Sequence, residues 1–246
     1  ADKKNQGSRA FYSPFLGWSE AYPETTGYLI PTLIKLGDVL KKPIHIEQAI
    51  NYGDWLLEIQ NKDGSWYGGI YGKKKFPRKS IFNTGQIIFG LITLWRFTKE
   101  QKWLDYSFKA TSWLTSGLRP NNLWSGGDYR FENITPSYYS HVFWPMLEVG
   151  YEIADLKIIN DCKNGIYTIT DRIQKDGSFK YWSFEKNKPA NTHTIGYTIR
   201  GIQESARLLD DSNLTLKIEP TIEKLVKLAD LNDGALPGAY DENFKQ

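Results

Sequence analysis

Gln60-Asn61-Lys62-Asp63-Gly64-Ser65-Trp66 reads as a helix end, a Gly/Asp turn and a large apolar residue that closes it. The arrangement returns as Leu118-Arg119-Pro120-Asn121-Asn122-Leu123-Trp124, Ile173-Gln174-Lys175-Asp176-Gly177-Ser178-Phe179 and Leu231-Asn232-Asp233-Gly234-Ala235-Leu236. The closing residues stand at 66, 124, 179 and 236, a period of 58, 55 and 57 residues. A period that long holds two helix-length apolar patterns, which describes helical hairpins set side by side.

Apolar spacing and helix start and stop signals predict eight helices. The first of each pair runs over 24–41, 80–98, 135–154 and 190–209, the second over 45–61, 101–116, 157–173 and 213–230. The first set is the more apolar, as in Gly85-Gln86-Ile87-Ile88-Phe89-Gly90-Leu91-Ile92, while the second is amphipathic, as in Ala49-Ile50-Asn51-Tyr52-Gly53-Asp54-Trp55-Leu56. A helix apolar nearly all round is buried and one with a polar face lies outside. Inner and outer helices alternate, so the chain reads as an all-α protein, an α/α toroid of four hairpins. Small residues near the inner starts, Gly27, Gly85, Ser140 and Gly196, share the register of the turn and would let inner helices crowd around an axis. No Pro/Gly/Ser linker divides the sequence, which predicts a single domain over 1–246 with an irregular segment over 1–23. Four hairpins fall short of a closed ring, which predicts that it is incomplete, with C-terminal hairpins missing or a further polypeptide or subunit completing it.

Composition narrows the function classes. With 31 basic and 28 acidic residues and a net charge of +3, nothing calls for nucleic acid or an anionic membrane. The one basic run, Lys73-Lys74-Lys75 with Arg78 and Lys79, is either a solvated loop or the rim of an anion site. Cys162 is the only cysteine, which excludes an internal disulfide and a cysteine-cluster metal site, and no other grouping calls for a metal or cofactor. Ala1–Gln6 lacks the apolar core of a leader and no long apolar span exists, which predicts a soluble protein without membrane insertion, the cytoplasm being favoured over the periplasm or export. Aromatic residues make up 15% of the chain, more than helix packing needs, and such rings suit stacking on sugars or lining an apolar pocket.

If inner helices surround an axis, their N-terminal ends share one rim. Tyr22, Glu24, Thr25, Thr26 and Tyr28 lie there, with Asn83, Thr84 and Gln86 in the second hairpin, Tyr138, Tyr139, His141 and Trp144 in the third, and Asn191, Thr192, His193, Thr194 and Tyr197 in the fourth. Such polar groups cost about 1–3 kcal/mol each if buried unpaired. Capping accounts for Thr25, Asn83, Thr84 and Thr192 as readily as ligand binding does; it does not account for Gln86, Tyr139, His141 or His193. Arg200 lies one turn further in, placed to meet a carboxylate or to pair with Glu204 on its own helix.

Tyr22-Pro23-Glu24-Thr25-Thr26-Gly27-Tyr28, Phe82-Asn83-Thr84-Gly85-Gln86 and Thr192-His193-Thr194-Ile195-Gly196-Tyr197 resemble a prokaryotic α/α-toroid family of six-hairpin-glycosidase-like architecture, whose genes often accompany polysaccharide biosynthesis or processing. The likeness spans about residues 15–240 and implies carbohydrate-linked work. Trp55-Leu56-Leu57 with Gln60 and Gly64-Ser65-Trp66 is similar to the Q–W repeat of terpenoid-cyclase and prenyltransferase toroids. The Asp-x-Asp-Asp acid of class II cyclases is missing and zinc ligands cannot be assembled around Cys162, so this second likeness is one of architecture.

These readings converge on a carbohydrate-active enzyme for an acidic or amino-sugar oligosaccharide or polysaccharide. In a lyase or C5-epimerase, Asn83 or Gln86 and a histidine would neutralise a uronate carboxylate while Tyr139 or His141 moves the C5 proton, with His193 a further candidate. Tyr22, Thr26, Tyr28, Tyr138, Trp144, Tyr197 and Arg200 would bind sugar. In a glycoside hydrolase two carboxylates must stand about 5–5.5 Å or 6.5–9.5 Å apart; Glu24 would need Asp128 or Glu132 as partner. A glycan-binding or polysaccharide-assembly module without acid/base chemistry is the third reading.

Overall fold

The computed structural model describes residues 6–73, 77–125, 134–241 and 244. Eight α-helices carry them: α1 (Pro23–Leu40), α2 (Pro43–Glu58), α3 (Ile81–Thr98), α4 (Gln101–Ser116), α5 (Ser140–Glu152), α6 (Leu156–Thr170), α7 (Thr192–Leu209) and α8 (Ser212–Asp230). Among the described residues, two short antiparallel pairs, β1 (Tyr12–Ser13) with β2 (Gly17–Trp18) and β3 (Ala190–Asn191) with β4 (Ala239–Tyr240), and a 3₁₀ turn accompany them.

The recurring turn is one hydrogen-bonded loop built three times. In the first copy the Asn61 N–H donates to the Ser65 carbonyl (2.9 Å), Gly64 N–H to Asn61 (2.9 Å) and Ser65 N–H to the Asp63 carboxylate (3.2 Å). The second repeats it with Arg119 to Leu123 (2.9 Å), Asn122 to Arg119 (2.8 Å) and Leu123 to the Asn121 side chain (3.2 Å). The third uses Gln174 to Ser178 (2.8 Å), Gly177 to Gln174 (3.0 Å) and Ser178 to Asp176 (3.0 Å). An Asx side chain closes each loop, and the residue after it is left-handed: Gly64 at φ +99°, Asn122 at +55° and Gly177 at +85°. Burial lifts the Asp63 carboxyl, but the Lys79 ammonium and the Ser65 hydroxyl and N–H outweigh it and hold it at about 2.

The turns are also seats. A Cβ at Gly64 would lie 2.3 Å from the Lys109 carbonyl of α4, and the Gln60 amide bridges the Gly64 and Tyr106 carbonyls (3.0 and 3.1 Å). A Cβ at Gly177 would lie 3.0 Å from the Pro220 carbonyl of α8, where the Thr221 hydroxyl donates to Gly177 (2.6 Å). Trp66, Trp124 and Phe179 are buried behind these loops. The fourth copy departs from the pattern: Gly234 donates to Ala229 and Ala235 to Asn232 (both 2.9 Å), and Leu236 stays 39% exposed.

Contacts group the chain into two compact units, Ala1–Ser116 and Gly117–Gln246. In the first, α1 packs on α3, backed by α2 and α4; in the second, α5 packs on α7, backed by α6 and α8. Both inner pairs meet backbone to backbone. A Cβ on Gly90 of α3 would stand 2.6 Å from the Gly27 carbonyl of α1, and one on Gly201 of α7 would stand 2.3 Å from the Ser140 carbonyl carbon of α5. The Ser140 hydroxyl fixes the second crossing by donating to Thr198 O (2.9 Å). The small residue at one inner start therefore meets a glycine five residues past the equivalent position of the next, a stagger of about 7.5 Å along the helix. Gly196, expected at such a contact, is exposed with nothing within 4 Å of a Cβ, so Gly201 has the role assigned to it.

Helix starts differ from expectation in their caps. Ser80, not Asn83 or Thr84, caps α3, accepting from the Asn83 N–H (3.0 Å). Tyr22 and Asn191 precede α1 and α7 without a side-chain cap, and the Thr25 hydroxyl donates to the Tyr22 carbonyl (3.1 Å) while that of Thr192 donates to Pro237 O. The start predicted at residue 135 moves to Ser140 behind a 3₁₀ turn, Ser137–Tyr139, because Pro136 holds extended backbone. Cys162 lies wholly buried on α6, and burial pushes its thiol well above the ordinary range. Among the described residues no helix is long and apolar enough to cross a membrane, and no cluster of three or more His, Cys, Asp or Glu could hold a metal.

Candidate functional site

In the first unit, Pro23 opens α1 and puts Glu24 in the first helical turn, where the helix dipole favours a carboxylate. The Tyr22 phenol donates to Glu24 Oε2 (3.0 Å) and the Tyr28 phenol to Oε1 (3.4 Å), so both carboxylate oxygens are held by rings two residues before and four after. Thr26 is buried and spent on structure, accepting from Ser8 N (2.9 Å) and donating to Tyr22 O (2.8 Å). Asn83 and Gln86 are buried on α3, and the Asn83 amide nitrogen finds no acceptor among the described residues. The basic run is partly neutralised, since Lys73 pairs with Glu20 (3.0 Å) and Lys79 with Asp63 (2.5 Å). Lys74, Lys75, Asp128 and Glu132 lie outside the described residues.

In the second unit, α5 and α7 bring the remaining candidates into one run of rings. His141 stands between Trp144 (centroids 5.3 Å apart) and Tyr197 (5.0 Å), Tyr197 meets His193 (5.7 Å), and His193 meets Phe184 (5.3 Å). Phe184 leads on to Tyr138 (5.5 Å), which packs on Tyr139 (5.1 Å). Exposure separates them. Tyr138 and Tyr139 are fully buried, His141 and Trp144 nearly so, and Tyr197 is half-buried, whereas His193 and Arg200 are exposed. His193, Tyr197 and Arg200 follow at i, i+4 and i+7, one face of α7.

Arg200 stacks over the Trp144 ring, 5.1 Å from guanidinium carbon to centroid. The pairing with Glu204 that its spacing allows does not form, because Glu204 takes Arg207 (2.9 Å). No carboxylate among the described residues pairs with Arg200. Burial, and then the charge of Arg200, lower the His141 pKa to about 3, so its imidazole is neutral at any physiological pH. Beneath the run, the Trp144 indole N–H donates to Glu148 Oε1 (2.8 Å), a carboxylate buried on α5 that the rim reading passed over. Its signal was present: an acidic residue at i+4 from a tryptophan in an otherwise apolar helix must have a buried partner.

No known family profile and no curated protein matches the sequence. Solved structures do match its fold. An α-mannanase from Bacteroides thetaiotaomicron superposes with a TM-score of 0.68 at 14% identity, covering 91% of this chain and 65% of its own. A cellobiose 2-epimerase from Bacillus thermoamylovorans gives 0.74 at 14% identity, covering 98% and 71%. The fold is that of the α/α toroids. An unsaturated glucuronyl hydrolase specific for heparin gives 0.70 at 13% identity, covering 91% and 62%, so this toroid chain spans between about three-fifths and seven-tenths of the lengths of these three.

Proposed function

We propose that the chain is a carbohydrate-active enzyme for an acidic polysaccharide, with lyase or C5-epimerase chemistry at the exposed face of α7. The observation that carries this reading is Arg200: an exposed guanidinium over Trp144, unpaired with any described carboxylate and on one face with His193 and Tyr197. A uronate carboxylate paired to Arg200 acidifies the sugar's C5–H. His193, the accessible imidazole, takes that proton; the electron pair forms the C4=C5 bond, and the Tyr197 phenol gives its proton to the departing C4 oxygen. In the epimerase variant the proton returns to the opposite face of C5 and no bond to C4 breaks. His141, whose conjugate acid at about 3 is too strong for a base near neutral pH, positions Tyr197 and Trp144. The proton-transfer role expected of Tyr139 and His141 thus passes to His193 and Tyr197 on grounds of exposure. The toroids of similar fold, whose names describe a mannanase, an epimerase of cellobiose and a glucuronyl hydrolase, support sugar as the substrate class.

Glu24 favours a second reading. A carboxylate kept ionised by two phenol donors is suited to the base or nucleophile of a glycoside hydrolase, which needs a second carboxylate as its acid.

Incubation with alginate, pectate and hyaluronan, and with neutral glucans, separates the readings. Absorbance at 232 nm from a new double bond marks the lyase, C5 inversion without scission the epimerase, reducing ends alone the hydrolase, and binding without turnover a glycan-binding module. His193→Ala and Tyr197→Phe should each lower turnover about 10²–10⁴-fold with the fold intact, and Arg200→Ala should raise KM for uronate chains. Wild-type rates in all three variants would remove the chemistry from α7.

A further inference from the structure

The segment before α1, expected to be irregular, is a built arm. Arg9 bridges to Ala21, and its guanidinium donates to Ser19 O (2.8 Å). The Ser19 hydroxyl accepts from the N–H groups of Ala10 (2.9 Å) and Phe11 (3.1 Å), and the Ser13 hydroxyl from those of Phe15 and Leu16 (both 3.3 Å). Tyr12 faces Trp18 across the two strands, their rings edge to face at 5.2 Å. This hydrogen-bonded scaffold offers its apolar groups to solvent: Phe11 is 53% exposed, Tyr12 58%, Phe15 95%, Leu16 87% and Trp18 64%. Burying one such side chain is worth about 1.5–3 kcal/mol, so five of them clustered on a braced arm mark a surface that meets something.

We propose that the β1–β2 arm is a glycan subsite on which Tyr12 and Trp18 stack the apolar faces of sugars in a polysaccharide chain. The inference rests on the reading of the protein as carbohydrate-active, and it adds a place on the first unit where a sugar chain is held. Continuity argues for this occupant. The arm is rooted on the first turn of α1, with Tyr22 N–H donating to Ser8 O (2.7 Å) and Ser8 N–H to the Thr26 hydroxyl (2.9 Å). Trp18 lies four residues before Tyr22, so at most about 14 Å of extended backbone separates it from the Tyr22–Glu24–Tyr28 cluster. Charge argues the same way. From Ala10 to Ser19 the arm carries no Lys, Arg, Asp or Glu, whereas a surface helix or loop that docks on anionic lipid is rich in Lys and Arg. Tyr and Trp present a flat apolar body with a polar edge, matching a pyranose ring whose C–H face is bordered by hydroxyls.

Calorimetric titration of the whole protein with long chains and short oligosaccharides of the best-bound polysaccharide among alginate, pectate and hyaluronan tests the inference. Tyr12→Ala with Trp18→Ala should weaken long-chain binding about tenfold and leave the short oligosaccharides, and the thermal melt, as in wild type. Tyr12→Phe with Trp18→Phe should restore most of the affinity, since the rings remain. Unchanged long-chain affinity in the alanine pair overturns the subsite while leaving the carbohydrate reading standing. No binding by the wild type to any of the three polysaccharides overturns the carbohydrate reading and the subsite with it. Binding to phosphatidylcholine vesicles or self-association that Phe15→Ser and Leu16→Ser abolish, with glycan affinity untouched, assigns the arm to another partner and also overturns it.

Discussion

His141 shows how one residue's surroundings decide its chemistry. In the unfolded chain it titrates near 6.5, in the folded protein at about 3. Between those values the unfolded state holds the extra proton, so stability is full above about pH 6.5 and falls as the pH is lowered toward 3. Thermal melts between pH 4.5 and 7 should show the wild type losing stability more steeply than His141→Gln; parallel slopes would mean that the imidazole is not held neutral. The sequence marked His141 as special because it sits in an apolar helix start, but could not say that Trp144 and Tyr197 enclose it or that Arg200 lies close enough to depress it. The carboxylate of Glu24 was better legible, since Tyr28 follows it at the i+4 spacing of a helical turn, whereas the Tyr22 bond depends on the extended residue that precedes the helix.

At the level of elements the small residues make the sharpest test. Gly201→Ala should destabilise by more than about 3 kcal/mol, because its Cβ meets backbone that cannot rotate aside. Gly196→Ala, five residues earlier on the same helix, has open space and should stabilise by about 0.4–1 kcal/mol. Urea unfolding of the two variants checks both; a mild Gly201→Ala would show that α5 and α7 do not touch through their backbones. The shared register of Gly27, Gly85, Ser140 and Gly196 was real as a repeat, but the crossing partner is displaced along the next helix, and a one-dimensional pattern carries no crossing geometry. The turn was legible because its chemistry is local: an Asx side chain and a left-handed residue suffice to specify it. Gly177→Ala should accordingly cost at least about 1–2 kcal/mol for the left-handed backbone alone, measured by the same unfolding series.

Across the molecule, cooperativity between hairpins is the property to measure. The sequence shows four similar hairpins and no linker, while the contacts gather them as two compact units. Hydrogen exchange read by mass spectrometry should register it: Gly201→Ala should lower protection in peptides from 117–246 and spare those from 1–116. Uniform loss would show one cooperative body. The toroid class was legible from periodicity alone, because helix burial follows from which faces are apolar. The arm at 9–21 was not, since its strands are two residues long and its exposed rings give no alternation to read.

The solitary cysteine gives the protein its own unfolding clock. Cys162 is enclosed on α6 and its thiol is disfavoured as thiolate, so a thiol reagent such as Ellman's should react only when that helix opens. One colour change per molecule then reports the opening rate of the helix behind α5, with no engineered label, and each variant above can be timed against it in the native buffer.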